Sequence, residues 1–332
     1  VYGFKPTPGR YCGVGHPAGA FHDIMKFSFL VGCTGPLGRC TDDLVQLVKG
    51  LITEEGRAYD PNSPFVKWDE EKFQNKKKLR IGYVTSEEFF GAAKPCRRAV
   101  NEAVAALRQA GHEVVETKIP NFEEMILESI SILASEGKAR SSKSALEGER
   151  PVKGFELFIK LGMISNFLKK LASPFLKERT RKIIKHTMEP SAEELVLNIS
   201  KLVAYKWQFI GFWAQQKFDA IILPSLALPA FKHDYGTKLL PAGSYLWLAN
   251  FCQLPAGVVP VTTIKQDETV YTREDAGVYA DDILFKYSQE NMADSEGLPV
   301  SVQVIGLPWE DEKCLSVMKE IETLIGFKGL DC

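Results

Sequence analysis

The sequence predicts an α/β protein: a mixed, twisted β-sheet covered by helices on both faces. Three observations carry this expectation. Short Val- and Ile-rich runs bounded by Gly, Pro or Asn alternate with helical patterns. The 332 residues are enough to bury a large core in one or two domains. No apolar run approaches the roughly 18 residues that a membrane-crossing helix needs.

The elements follow in chain order. Val1–Phe4 reads as the end of a buried strand or as a tight turn. Lys5-Pro-Thr-Pro-Gly9 has turn chemistry, with φ fixed at two prolines and Gly9 free to take positive φ. Gly35-Pro-Leu-Gly-Arg39 reads as a turn feeding a helix over Thr41–Leu51. Leu79–Thr85 is a strand. Pro95–Ala110 is a helix, apolar at Ala99, Val100, Ala103, Val104 and Leu107 and stopped by Gly111. Glu113–Ile119 and Ala220–Pro224 are strands, and between them Ser191-Ala-Glu-Glu194 is a capping box for a helix reaching about Lys217. Gly257–Thr263 is a strand whose Pro260 places it at an edge or a bulge. Leu298–Leu307 is a further strand, and Glu310–Ile325 closes the chain as a helix. Ser141–Arg150 and Lys265–Glu274 read as polar loops.

Charge excludes one class of partner. Forty-one Lys and Arg face 42 Asp and Glu, a net charge of −1, so nucleic acid is not an expected partner. Seven scattered cysteines without a CxxC, and five histidines without zinc-like spacing, predict reduced thiols, a cytosol-facing chain and no metal site. Ser141 and Ser142 beside Lys143 lack an apolar wall that could desolvate the lysine. His22-Asp23 and His233-Asp234 are sequence neighbours, which rarely aim at one another. Composition and spacing therefore reach a soluble α/β protein without a catalyst or a cofactor.

Taken together, four stretches resemble the amidase-signature family. They are Gly3-Phe-Lys-Pro-Thr7 with Gly9-Arg10, Gly35-Pro-Leu-Gly-Arg39, Leu254-Pro-Ala-Gly-Val-Val-Pro260, and Gly297-Leu-Pro-Val-Ser-Val-Gln303. Pro255–Thr263 and Gly297–Glu310 are similar to its fatty acid amide hydrolase branch. The resemblance implies that residues 1–332 are the C-terminal part of a single amidase domain. It implies hydrolysis of linear amides, here fatty acid amides, by Ser–Ser–Lys acyl transfer, with no cofactor. In the family the two serines and the lysine precede the Gly-Lys-Pro-Thr stretch, so no catalytic residue is expected in this chain, and the chain alone is expected to be inactive.

The resemblance also places two binding surfaces. Gly154–His186 is apolar at Phe167, Leu168, Leu171 and Phe175, among others, with lysines and arginines interleaved. Pro174 should split it into two short helices. Such a basic amphipathic pair either packs its apolar side on the core or lies in a membrane interface. The resemblance implies the second, a membrane-binding cap with Phe167, Leu168, Leu171, Lys169, Lys170, Arg181 and Lys182 as contacts, on the cytoplasmic face of an intracellular membrane. A transmembrane anchor upstream stays open, as does a homodimer. In Gly236–Pro255 a helix is implied to line an acyl-chain channel, with Leu246, Trp247, Phe251 and, from the cap, Phe175 as candidates; ordinary core packing is the alternative for each. Two other readings remain: an amidase-signature enzyme for other substrates, such as an amidotransferase A-type subunit or a small-amide amidase, and a non-catalytic lipid-binding or scaffold protein.

Overall fold

The computed structural model describes residues 1–14, 32–60, 63–75, 77–135, 146 and 148–328. His22-Asp23, Ser141, Ser142, Lys143 and Cys332 lie outside the described residues. The strands are β1 (Tyr2–Lys5), β2 (Leu37–Gly38), β3 (Arg80–Tyr83), β4 (Glu113–Glu116), β5 (Ala220–Pro224), β6 (Ala256–Thr263) and β7 (Pro299–Ile305). The longer helices are α1 (Thr41–Leu51), α2 (Lys94–Gln109), α3 (Phe122–Leu133), α4 (Lys153–Met163), α5 (Asn166–Ala172), α6 (Glu178–His186), α7 (Ala192–Gln216), α8 (Ser244–Phe251), α9 (Ile283–Met292) and α10 (Asp311–Ile325).

The seven strands form one mixed sheet in the order β2-β1-β6-β7-β5-β3-β4. β3 pairs parallel with β4 and β5, and the other pairs are antiparallel. β5 is buried along its whole length, as its unbroken Ala-Ile-Ile-Leu-Pro run requires of a strand covered on both sides. Pro260 lies at a register shift of β6, past the last β6 residue paired with β1. There its missing N–H costs no ladder bond.

Helices α2 and α10 pack on each other and on β5, β6 and β7. The expected apolar stripe of α2, from Ala99 to Leu107, is fully buried there. The capping box at Ser191 starts α7 as read, with Ser191 accepting from the Glu194 N–H. Two readings needed correction. Gly35–Arg39 is not only a turn: Leu37 and Gly38 form an edge strand because Tyr2 and Gly3 offer them a partner. Gly154–His186 is three helices rather than two. Pro174 does break it, through a 3₁₀ turn at Ser173–Phe175, but α4 also ends at Ile164, whose extended backbone lets Ser165 cap α5.

The two ends of the chain are tied by a buried polar clasp. The Thr7 N–H and hydroxyl donate to the two carboxylate oxygens of Asp311 at 2.8 and 2.7 Å. Arg10 reaches Glu312 at 2.5 Å, with both side chains almost wholly buried. The motif that begins the chain is thus held by the first turn of α10.

A glycine pair gives the first test. A Cβ on Gly91 would come within 1.7 Å of the Asp275 carbonyl oxygen, which is backbone and cannot swing away. Gly50, inside α1, would meet nothing within 4 Å. Gly91→Ala is expected to cost about 3 kcal/mol or more in denaturant titration. Gly50→Ala is expected to add up to about 1 kcal/mol.

Candidate functional site

Helix α8 carries three of the four residues expected to line a channel. Its anchor is Tyr245, fully buried. The Tyr245 hydroxyl accepts from the Glu87 N–H and donates to the Phe90 carbonyl, both at 2.9 Å. Its carbonyl accepts from Gln303 of β7 at 3.1 Å. The helix is therefore fixed to the sheet at one point and to the loop after β3 at two. Trp247 and Phe251, four residues apart, share a face and meet edge to face at 6.5 Å. Leu246 and Trp247 are half-buried and Phe251 is buried. Phe175 stands apart from this arrangement on the helical excursion, where it is 87% exposed.

Helix α5 of this excursion is turned inside out. On α5, Phe167 is 74% exposed, and Leu168 and Leu171 are also exposed. Lys169 is buried instead, and its ammonium donates to the Thr187 carbonyl at 2.5 Å. Burial lowers the Lys169 pKa. Lys182 is likewise committed, to Glu123 at 2.7 Å, Glu178 at 2.9 Å and the Tyr279 hydroxyl at 2.9 Å. These two of the expected surface cations therefore face protein groups. Lys170 is exposed and Arg181 half-exposed.

Arg179 holds this excursion to the body. It is fully buried and makes two hydrogen bonds to Asp282, at 2.8 and 2.7 Å, and a third to the Phe89 carbonyl at 3.0 Å. Its guanidinium lies 4.6 Å from the centre of the Phe90 ring and 5.1 Å from that of Tyr279. Sequence reasoning missed it. Asp282 is 103 residues away, and a lone Arg in a basic run carries no sign of burial.

Between the excursion and the sheet opens a cleft of about 620 Å³. The loop after β3 supplies Glu87 and Phe89, the loop after β4 supplies Lys118, α3 supplies Phe122 and Glu128, and α6 supplies Lys182 and His186. Burial pushes the Glu87 carboxyl up to about 7. Its Oε1 accepts from the Ile119 N–H at 3.3 Å. Among the described residues no group of His, Cys, Asp and Glu is arranged to hold a metal ion.

The comparisons with known proteins decide the family. A family model described as Amidase matches residues 1–315. The chain belongs to the amidase family. Among curated amidase relatives it is 29% identical over 331 residues to fatty-acid amide hydrolase 1 of Sus scrofa, covering 98% of this chain and 56% of that protein. It is 28% identical over 273 residues to fatty acid amide hydrolase 1 of Caenorhabditis elegans, covering 80% and 46%. A solved fatty acid amide hydrolase superposes with a TM-score of 0.76 at 19% identity over 98% of this chain and 53% of that one, which fixes the amidase fold. The chain thus spans about half the length of the amidase relatives it matches.

Two stability predictions follow from the geometry. Arg179→Met should cost about 3–5 kcal/mol, because it strands Asp282 in the interior, and the double variant Arg179→Met/Asp282→Leu should recover part of that loss. Chemical denaturation of the two variants checks it. Glu87 has a folded pKa above its ordinary value of 4.5. Its neutral form is therefore favoured by folding, and that contribution is whole below pH 4.5 and lost as pH rises through about 7. Glu87→Gln should match the parent protein at low pH and become the more stable of the two above pH 7, by at most about 3 kcal/mol. A Tm difference independent of pH would contradict this.

Proposed function

We propose that this chain forms the substrate- and membrane-facing part of a serine amidase that hydrolyses fatty acid amides at a membrane surface. The observation that carries the reading is the inverted α5 and its 3₁₀ turn: Phe167, Leu168, Leu171 and Phe175 exposed, Lys169 buried. A water-facing helix normally presents its polar side. One that hides a lysine and shows four large apolar side chains is suited to an apolar phase. Lys170 on α5 is exposed and Arg181 on α6 half-exposed, and both are free of the carboxylates that hold Lys182 and Arg179 among the described residues.

On this reading the acyl chain lies against the Trp247–Phe251 face of α8 and Leu246. A mainly apolar channel suits a long alkyl chain, since each buried methylene contributes roughly 0.8 kcal/mol. Phe175 then serves at the membrane surface and not in the channel. The reaction is acyl transfer. A serine attacks the amide carbonyl, and a neutral lysine takes its proton through a second serine and passes it to the leaving amine. The family resemblance supplies these three groups, and the proposal assigns none of them to residues 1–332. The chain by itself should therefore neither turn over an acyl amide nor react with a serine-directed fluorophosphonate.

The exposed face also separates this from the other readings, because an amidase acting on a soluble small amide has no use for it. Liposome sedimentation tests the point. Phe167→Ser/Leu171→Ser should weaken binding to anionic vesicles at low and high salt alike. Lys170→Glu/Arg181→Glu should weaken it at low salt by about 2 kcal/mol or more, roughly thirtyfold, and little at high salt. Unchanged pelleting of both variants would place the membrane contact elsewhere. Vesicle binding with no hydrolysis of long-chain amides by any longer form of the protein would favour the lipid-binding alternative.

A further inference from the structure

Helix α7 is apolar on two sides. One side packs on α3 and buries Leu202, Tyr205, Phe209 and Trp213. On the other side Val196, Val203, Ala204, Trp207, Gly211 and Ala214 are all exposed, and Trp207 is 70% exposed. At roughly 100° per residue, Val196, Val203, Trp207 and Ala214 fall within about 40° of one another, so they form a single stripe along the helix. Ser200, also in the stripe, turns its hydroxyl to the Val196 carbonyl of its own helix at 2.9 Å. A helix that is apolar on opposite sides belongs in an interior. A tryptophan standing out among valines and small residues marks a contact surface.

The stripe carries opposite charges at its two ends. Glu193 lies in the first turn of α7, and Lys217 lies just past the last. Both are exposed, and neither makes an ion pair among the described residues. The other charges of α7 are already used: Glu194 closes the capping box, Lys201 pairs with Glu128, and Lys206 donates to Gln253. An anionic lipid surface would call for an excess of cations beside the stripe, and there is none. A second helix with the same stripe, running the opposite way, meets both ends with the opposite charge. It also sets the two macrodipoles against each other.

We propose that α7 is the interface of an antiparallel homodimer of this chain. The two-fold axis passes midway between Val203 and Trp207. Val203 of each copy then faces Trp207 of the other, Val196 faces Ala214, and Glu193 faces Lys217, each pair being equally far from the axis along the sequence. Large residues thus meet small or branched ones along the seam, and the interface is self-complementary, as a two-fold contact must be. One helix from each copy gives a strip roughly 36 Å long. That is a small interface, so the dimer exchanges with monomer at micromolar concentrations and is not obligate. The inference is independent of the amide reading and uses none of the residues assigned to the channel or the membrane.

Sedimentation velocity of the protein from roughly 1 to 100 µM tests this. The expected result is a monomer–dimer equilibrium with a dissociation constant on the order of 10 µM. Trp207→Glu should raise that constant about thirtyfold or more, and its thermal unfolding as a monomer should match that of the parent, because the side chain faces solvent. Glu193→Lys and Lys217→Glu should each weaken the dimer about fivefold. The double variant Glu193→Lys/Lys217→Glu should restore it, since both end pairs are then opposite in sign again. Restoration requires the antiparallel pairing, and the charge variants serve if the Trp207 variant is poorly folded. A monomer at all concentrations, a dimer that Trp207→Glu leaves intact, or a double variant no tighter than the single ones would overturn the proposal. So would a protein that stays monomeric and loses vesicle binding on Trp207→Glu, which would give the stripe to a membrane instead.

Discussion

The buried Arg179–Asp282 pair decides which way the helical excursion faces. α5 and α6 carry no fully buried apolar side chain, so hydrophobic burial alone does not fix them to the body. Arg179 supplies what burial does not: two bonds to one carboxylate, a third to the Phe89 carbonyl, and two aromatic rings against its planar face. Such a pair gains little over an apolar packing of the same volume, because both charges leave water. Its effect is directional. A bidentate guanidinium accepts one orientation, and a greasy contact accepts many. Once Arg179 is seated, Lys182 reaches Glu123 on α3, and the apolar side of α5 is left outside.

The same logic operates at the other end of the molecule. β1 is four residues long and pairs antiparallel with β2 and β6. A strand that short is marginal by itself. The clasp of Thr7 and Arg10 with Asp311 and Glu312 fixes its exit to the start of α10. Burial raises the Asp311 pKa, and the Thr7 bonds work against that shift. The two Thr7 donors and the Arg10 guanidinium, whose Nε lies 3.8 Å from Asp311 Oδ2, together favour the ionised carboxylate in this interior position.

These constraints mark the limit of what was legible in the sequence. Strands β3 to β7 and helices α1, α2, α7 and α10 announce themselves through Val and Ile content, i to i+4 spacing or a capping box. α3 does not. Its N-cap, Asn121, sits in the left-handed region and makes no side-chain cap, and Glu128, Ser129 and Ser131 are buried among its apolar residues, so no polar face shows in the pattern. β2 has two residues and exists only because β1 lies beside it. The lysines of the excursion could not be sorted either. Lys169 and Lys170 are neighbours with opposite fates, and what separates them is the Thr187 carbonyl, which comes into reach only when α6 folds back.

That sorting changes the physics of the proposed membrane contact. The apolar residues and interleaved cations of the sequence read as a membrane contact with two contributions, apolar insertion and attraction to anionic headgroups. With Lys169 turned inward and Lys182 and Arg179 held by carboxylates, the cations left near the apolar face are few. Each contributes roughly 1 kcal/mol at an anionic surface, and salt screens it. Four large apolar side chains on α5 and its 3₁₀ turn remain exposed. At roughly 1.5–3 kcal/mol for each one fully buried, they outweigh the remaining charges even when only partly inserted. On the proposed reading, attachment is therefore mainly apolar, with the remaining cations tuning which leaflet is preferred. The sequence could count the lysines but not show which of them the fold had already used.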